Sequence, residues 1–189
     1  MFGAHDPDWR ADLARIGLPR ALFKEQSLWA ISVYRFGRRV DRLPQGFRRR
    51  MLTRVYWFLF RIVETLTGIS LPKSCMIGKG LRIWHFGGVF VHGEAVLGDN
   101  CTLRQGVTIG NRDEGGAAPV VGDNVEFGAY AQVLGDVVIG DNCKIGAMAV
   151  VLTDIPPGAT AVGQPARIVT KHTAPLPLRE SARSAGGGG

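Results

Sequence analysis

Val121-Gly122-Asp123-Asn124-Val125-Glu126, Phe127-Gly128-Ala129-Tyr130-Ala131-Gln132, Ile139-Gly140-Asp141-Asn142-Cys143-Lys144 and Ile145-Gly146-Ala147-Met148-Ala149-Val150 are four spellings of one six-residue unit. Each opens on a large apolar residue, follows it with glycine and sets a smaller apolar residue four after the first. Read outward, the opening column is Val91, Leu97, Leu103, Ile109, Val121, Phe127, Val133, Ile139, Ile145 and Val151. The second column is Ala95, Cys101, Val107, Val125, Ala131, Val137, Cys143, Ala149 and Ile155. Gly115 breaks the first column, inside a polar segment that stands in for one repeat without shifting the phase. A period of six fits neither the helical 3.6 nor the strand 2.0. It suits short strands joined by turns, whose aliphatic ladder is buried only when successive turns stack. Three strands per coil predict a mainly β fold, a triangular parallel β-helix. Ile77, Ile83 and Val89 keep the six-residue step in a shifted phase, so the solenoid is expected to begin near Leu71 and end near Ile155.

Residues 12–66 lack this period and carry helical patterning. Leu28, Ile31, Val33-Tyr34 and Phe36 form one candidate packing face; Leu52, Val55-Tyr56, Leu59, Ile62-Val63 and Leu66 form another. Pro44-Gln45-Gly46 separates the two, and Gly68 stops the second. The chain thus divides into an N-terminal α-helical region over 1–68, a β-helix over 69–170 and a tail over 171–189 expected to be disordered. The net charge is +7, and all of the excess lies in residues 1–65, with 13 basic and 6 acidic groups. A neutral remainder argues against nucleic acid as the partner. Arg48-Arg49-Arg50 beside Tyr56-Trp57-Phe58 fits helices packing on each other or across subunits; the second reading is a peripheral contact with anionic lipid. The longest apolar run, Val55 to Phe60, is far short of the roughly 20 residues of a membrane span. Cys75, Cys101 and Cys143 form no CxxC pair and no signal-peptide pattern opens the chain, so a cytoplasmic location is expected, membrane-peripheral if the basic helices touch lipid. Cys101 and Cys143 sit in the small inward column and read as core. His85 and His92 do not make a three-histidine zinc set, so no metal is expected.

The repeated Ile/Leu/Val-Gly hexapeptides resemble the hexapeptide-repeat acyltransferases. Within them, Gln26-Ser27-Leu28-Trp29, Ile83-Trp84-His85-Phe86-Gly87-Gly88, Thr102-Leu103-Arg104-Gln105-Gly106-Val107-Thr108-Ile109-Gly110-Asn111-Arg112 and Ala161-Val162-Gly163-Gln164-Pro165-Ala166-Arg167-Ile168-Val169 look like serine acetyltransferase, in the short form found with exopolysaccharide and colanic acid biosynthesis. The resemblance implies a left-handed β-helix, assembled as a homotrimer or a dimer of trimers with active sites in the grooves between solenoids. It also implies acetyl-CoA as co-substrate, with no tightly bound cofactor, a small hydroxyl acceptor, and His85 as general base. The chemistry agrees: an alcohol must lose its proton as it attacks a thioester, and neutral imidazole is suited to take it near pH 7. By the same resemblance Gly110, Ala129 and Ala147 border the pantetheine arm, and Arg167 and Lys171 meet CoA phosphates.

The chain departs from the family in named places. The orienting aspartate falls on Ser70, the aspartate before the histidine falls on Trp84, and the arginine-histidine pair that holds the amino acid falls on Ala117-Ala118, before Pro119. Arg104 or Arg112 is left to anchor the acceptor, with His92 either auxiliary or a plain corner residue. The C-terminal isoleucine that docks into cysteine synthase is absent, so no such complex is expected. The readings are therefore acetyl transfer to L-serine, acetyl transfer to a sugar hydroxyl in exopolysaccharide assembly, and a noncatalytic β-helix scaffold.

Overall fold

A computed structural model describes residues 6–16, 25–85 and 87–169. Among the described residues three helices come first: α1 (Pro7–Ala14), α2 (Ser27–Asp41) and α3 (Phe47–Thr67). Asp6 caps α1 by accepting from the Asp8 and Trp9 amides. Gly68, at φ 63°, ends α3 in the left-handed conformation that glycine adopts freely.

Fifteen short strands among the described residues then wind into three sheets. The first stacks β1 (Ile69–Ser70), β4 (Val89–Val91), β7 (Thr108–Gly110), β10 (Gln132–Leu134) and β13 (Val150–Val151). The second stacks β2 (Met76–Ile77), β5 (Val96–Leu97), β8 (Val120–Val121) and β11 (Val138–Ile139). The third stacks β3 (Arg82–Trp84), β6 (Thr102–Arg104), β9 (Glu126–Phe127), β12 (Lys144–Ile145), β14 (Thr160–Val162) and β15 (Arg167–Val169). Every pairing is parallel except β14 with β15, where the chain turns back and closes the third sheet. This is a parallel β-helix, and all ten residues of the opening column are at most 2% exposed. Each such side chain contributes about 1.5–3 kcal/mol of burial, which no isolated coil could collect.

The register explains both irregularities of the sequence. Val91 pairs with Ile109 and Val133 with Val151, so a regular coil is 18 residues. Ile109 pairs with Val133, so that coil is six longer, and the excess is the polar excursion between β7 and β8. Met76 pairs with Val96 and Ile83 with Leu103, a first coil two residues longer than regular. The expectation that Val89 is an opening residue in a shifted phase is corrected here: Leu71, Ile77, Ile83 and Val91 are the opening residues, and Val89 belongs to the second column with Cys75, Leu81 and Ala95. The two extra residues lie between Ile83 and Val91, in the corner that holds His85.

The helices dock on the open end of the solenoid, where the first coil has no preceding rung to satisfy its backbone. Side chains supply what the missing rung would. The Tyr34 hydroxyl accepts from the Ile77 amide at 2.9 Å and donates to the Cys75 carbonyl at 3.2 Å. Arg35 donates to the Ile77 and Gly78 carbonyls, Asp12 accepts from the Leu81 amide, and the Tyr56 hydroxyl accepts from the Lys73 amide. Arg35 is itself held by Asp12 at 2.8 and 3.1 Å, a buried ion pair. The second expected helical face is half wrong: Tyr56 is buried and Leu52, Leu59 and Val63 are partly covered, but Val55, Ile62 and Leu66 face outward. Helical spacing puts them on the side of α3 away from α2, and the sequence alone shows two apolar stripes without saying which is used.

Candidate functional site

Corners where β3-type strands hand over to β4-type strands form one long edge of the prism. His85 stands two residues after Ile83, as Gln105, Ala129 and Ala147 stand two after Leu103, Phe127 and Ile145, so all four share one column on that edge. At about 4.8 Å per rung, Ala129 and Ala147 lie about 10 and 14 Å along the edge from His85. Successive coils stack closely at this edge: the Ala129 carbonyl accepts from the Met148 amide at 2.8 Å, and a Cβ on Gly128 would stand 2.8 Å from Ala147 Cα. Ala129 and Ala147 share the edge with Tyr130 and Met148, which are 57% and 60% exposed. Arg104, exposed, pairs across the ladder with Trp84, next to His85. Arg167 pairs with Val162 at the end of the same sheet, beyond Ala147.

His85 itself is exposed, with φ at 67°, followed by Gly87 and Gly88 at 97° and 66°. A non-glycine residue held at positive φ is uncommon and costs on the order of 1 kcal/mol. Tyr130 and Met148 on the same edge also have positive φ, at 59° each, so it is the two-residue enlargement that sets apart this corner and the exposed imidazole it carries. The corner is braced from below, where a Cβ on Gly68 would lie 3.1 Å from the Gly88 amide nitrogen and 3.2 Å from Gly87 Cα. The rung under it bears Ser70, whose hydroxyl donates to Glu64 at 2.6 Å. A carboxylate thus stands on this rung after all, delivered by α3. Glu64 escaped the sequence reading because its relation to Ser70 depends on how the helix lands.

The remaining candidates lie on the next edge, across the first sheet. His92 accepts from the Glu94 amide at its Nδ1, and a Cβ on Gly110 would sit 4.0 Å from His92 Cβ. Arg112 packs its Cβ region against Gly135 on this edge. Within one chain the structure therefore unites His85, Ala129, Ala147 and Arg104, with Arg167 beyond them, and sets Gly110, His92 and Arg112 apart. Lys171 lies outside the described residues, as do His5 and His172.

The cysteines are inert core. Cys75, Cys101 and Cys143 are buried, and their thiols donate to the Pro72, Gly122 and Pro156 carbonyls. Burial pushes the Cys75 thiol up to about 12 and Cys101 to about 11, so neither supplies a thiolate at neutral pH. No cluster of three metal-ligating groups occurs among the described residues.

The bacterial transferase hexapeptide (six repeats) family matches residues 118–153. The serine acetyltransferase of Synechocystis sp. is 40% identical over 150 residues, 78% of this chain and 57% of that protein, so the chain spans little more than half of that relative's length. The serine acetyltransferase of Helicobacter pylori (strain 26695) is 39% identical over 132 residues, 69% of this chain and 77% of that protein. An Escherichia coli K12 protein named for colanic acid biosynthesis acetyltransfer is 40% identical over 112 residues, 58% of this chain and 69% of its own length. Among solved structures, the Neisseria gonorrhoeae serine acetyltransferase in complex with serine superposes with a TM-score of 0.73 at 31% identity, covering 86% of this chain and 68% of that one. A serine acetyltransferase in complex with CoA gives 0.71 at 26% identity, covering 86% and 68%.

Proposed function

The chain belongs to the serine acetyltransferase family, and from that premise we propose that it transfers the acetyl group of acetyl-CoA to the hydroxyl of L-serine, with His85 as general base. The observation that carries this is the enlarged first corner, which presents a single imidazole at the head of an edge lined by Ala129 and Ala147. The imidazole takes the hydroxyl proton as the oxygen attacks the thioester carbonyl. The tetrahedral intermediate then collapses, the C–S bond breaks, and the CoA thiolate recovers the proton from the imidazolium. Acetyl-CoA lies along the first edge, with Ala129 and Ala147 against the pantetheine arm and Arg167 and Lys171 toward its phosphates; it comes and goes as a co-substrate.

Two of the acceptor groups, His92 and Arg112, reach this groove from a neighbouring copy, together with Gly110 for the pantetheine arm. Gly110, His92 and Arg112 rim the second sheet, whose outer face carries the register-matched ladder Met76, Val96, Val120 and Val138. Three of these are 45–55% exposed. An apolar ladder of that length suits burial against a second chain, and closed heterologous contact gives a trimer. Arg104 comes from His85's own chain and Arg112 from the neighbour. A peripheral contact of the basic helices with lipid is compatible with this assembly.

A sugar hydroxyl is the second reading, favoured by Ala117-Ala118 where the family's amino-acid anchor would stand and by the colanic acid relative. One assay separates them: release of CoA thiol from acetyl-CoA with L-serine, with nucleotide sugars, and with no acceptor. Saturable release with serine supports the first reading, and release only with a sugar replaces it by the second. His85→Ala is expected to lower turnover by about 10²–10⁴-fold. CoA binding without turnover on any acceptor would make the chain a scaffold.

A further inference from the structure

Helix α3 has two apolar faces and uses one. Tyr56, Phe60 and Thr67 are buried toward α2 and the solenoid. On the other side Phe47, Met51, Val55, Phe58, Ile62 and Leu66 recur at steps of four, four, three, four and four, a single stripe from 39% to 80% exposed. At 1.5 Å per residue it runs about 28 Å. No helix among the described residues is long and apolar enough to cross a membrane, so a bilayer could meet this stripe only from the side.

The charges beside the stripe indicate what covers it. Helix α3 carries five arginines and one acid. That acid, Glu64, is engaged by Ser70 and Arg61. Projected at 3.6 residues per turn, Arg50, Arg54 and Arg61 line one flank and Arg48 the other. Arg48, Arg50 and Arg54 are exposed and have no partner among the described residues. Trp57, 45% exposed, extends the apolar surface past the arginine flank. A second copy placed on this stripe would bring an arginine-flanked face against itself, setting like charges along the seam. An anionic lipid surface meets the same face with opposite charge. The apolar stripe enters the headgroup–acyl boundary while the guanidinium groups reach out to phosphates.

We propose that α3 docks the protein peripherally on bilayers containing anionic phospholipid, stripe inward and arginines at the headgroups. The proposal is independent of the acceptor chemistry. Its test is sedimentation of the full-length protein with phosphatidylcholine vesicles, with and without phosphatidylglycerol, at low and high salt, beside light scattering of the protein alone. Binding is expected only with phosphatidylglycerol and is expected to fall as salt rises. Replacing Arg48, Arg50 and Arg54 together by Gln should weaken it by at least about tenfold, and Phe58→Ser with Leu66→Ser should weaken it comparably. Both variants change exposed side chains, so CoA release with a soluble acceptor should stay at the parent level. Failure to bind anionic vesicles overturns the proposal. So does binding that ignores the Phe58 and Leu66 changes, or a smaller assembly in solution for that variant, which would show the stripe buried between copies.

Discussion

The solenoid and the helical cap bury apolar side chains by different means. In the solenoid each coil is the template for the next: backbone amides of one rung meet carbonyls of the neighbour, and identical columns stack inside. The cap has no repeat to copy, and it joins the first coil through hydroxyl, carboxylate and guanidinium groups that take the place of a rung. A β-helix thus ends on a row of unpaired backbone groups, and its cap is specified by polar reach as much as by apolar patterning. The far end uses the chain itself, folding β15 back on β14.

The sharpest way to break this comparison is to delete a cap contact that does a rung's work. Arg35→Met leaves Asp12 buried without its partner and the Ile77 and Gly78 carbonyls unmet, and is expected to cost about 3–5 kcal/mol in urea unfolding. That matches the cost expected of Phe127→Ala in the middle of the ladder, about 3–5 kcal/mol. A loss for Arg35→Met no larger than that for exposed Arg42→Met would show that the cap adheres by apolar contact alone. Tyr34→Phe is the milder form. It strands the buried Ile77 amide, at about 1–3 kcal/mol.

Corners offer a finer test, because the first one differs from the rest. Gly106, at φ 74°, occupies a regular corner where an added Cβ would crowd the Tyr130 ring. Gly106→Ala is expected to destabilise by about 1–3 kcal/mol. Gly87, at φ 97°, lies in the enlarged corner, where an added Cβ meets nothing within 4 Å. Gly87→Ala should therefore cost only backbone strain, about 1 kcal/mol, while changing turnover more than stability because it tilts His85. Equal stability losses with unchanged kcat would mean that the enlarged corner is ordinary packing.

The two regions were also unequally legible. Opening and second columns could be read from the sequence because every coil repeats the same demand, one large and one small residue inward. The break in phase between Ile83 and Val91 was visible too, but its meaning, two residues added beside His85, needed the pairing of Ile83 with Leu103. In the cap, amphipathic spacing located α2 and α3 but not which stripe of α3 is buried. Contacts such as Arg35 to Gly78 or Asp12 to Leu81 join residues 43 and 69 apart in sequence, with no local pattern to announce them. For the site, His85, Ala129 and Ala147 proved to share an edge, whereas Arg112 and His92 fell on the next, a division set by which face of a three-sided coil each residue reaches.

Glu64 gives the smallest effect expected and joins the two regions most directly. Its carboxylate bonds Ser70 on the first rung, and the residue before that strand backs onto Gly87 and Gly88. That bond fastens α3 to the rung that underlies the His85 corner. Glu64→Gln keeps the shape but replaces a charge-assisted hydrogen bond by a neutral one, so it should lower stability in urea by less than about 1 kcal/mol. Ser70→Ala, which takes the donor away from the carboxylate, should cost about as much. If Glu64→Gln lowers the urea midpoint and leaves kcat in place, the carboxylate only fastens α3 to the first rung. A lower kcat at unchanged stability would make it a positioning residue that the cap contributes to the solenoid's chemistry, beside the hydrogen bonds by which Tyr34 and Arg35 complete the coil.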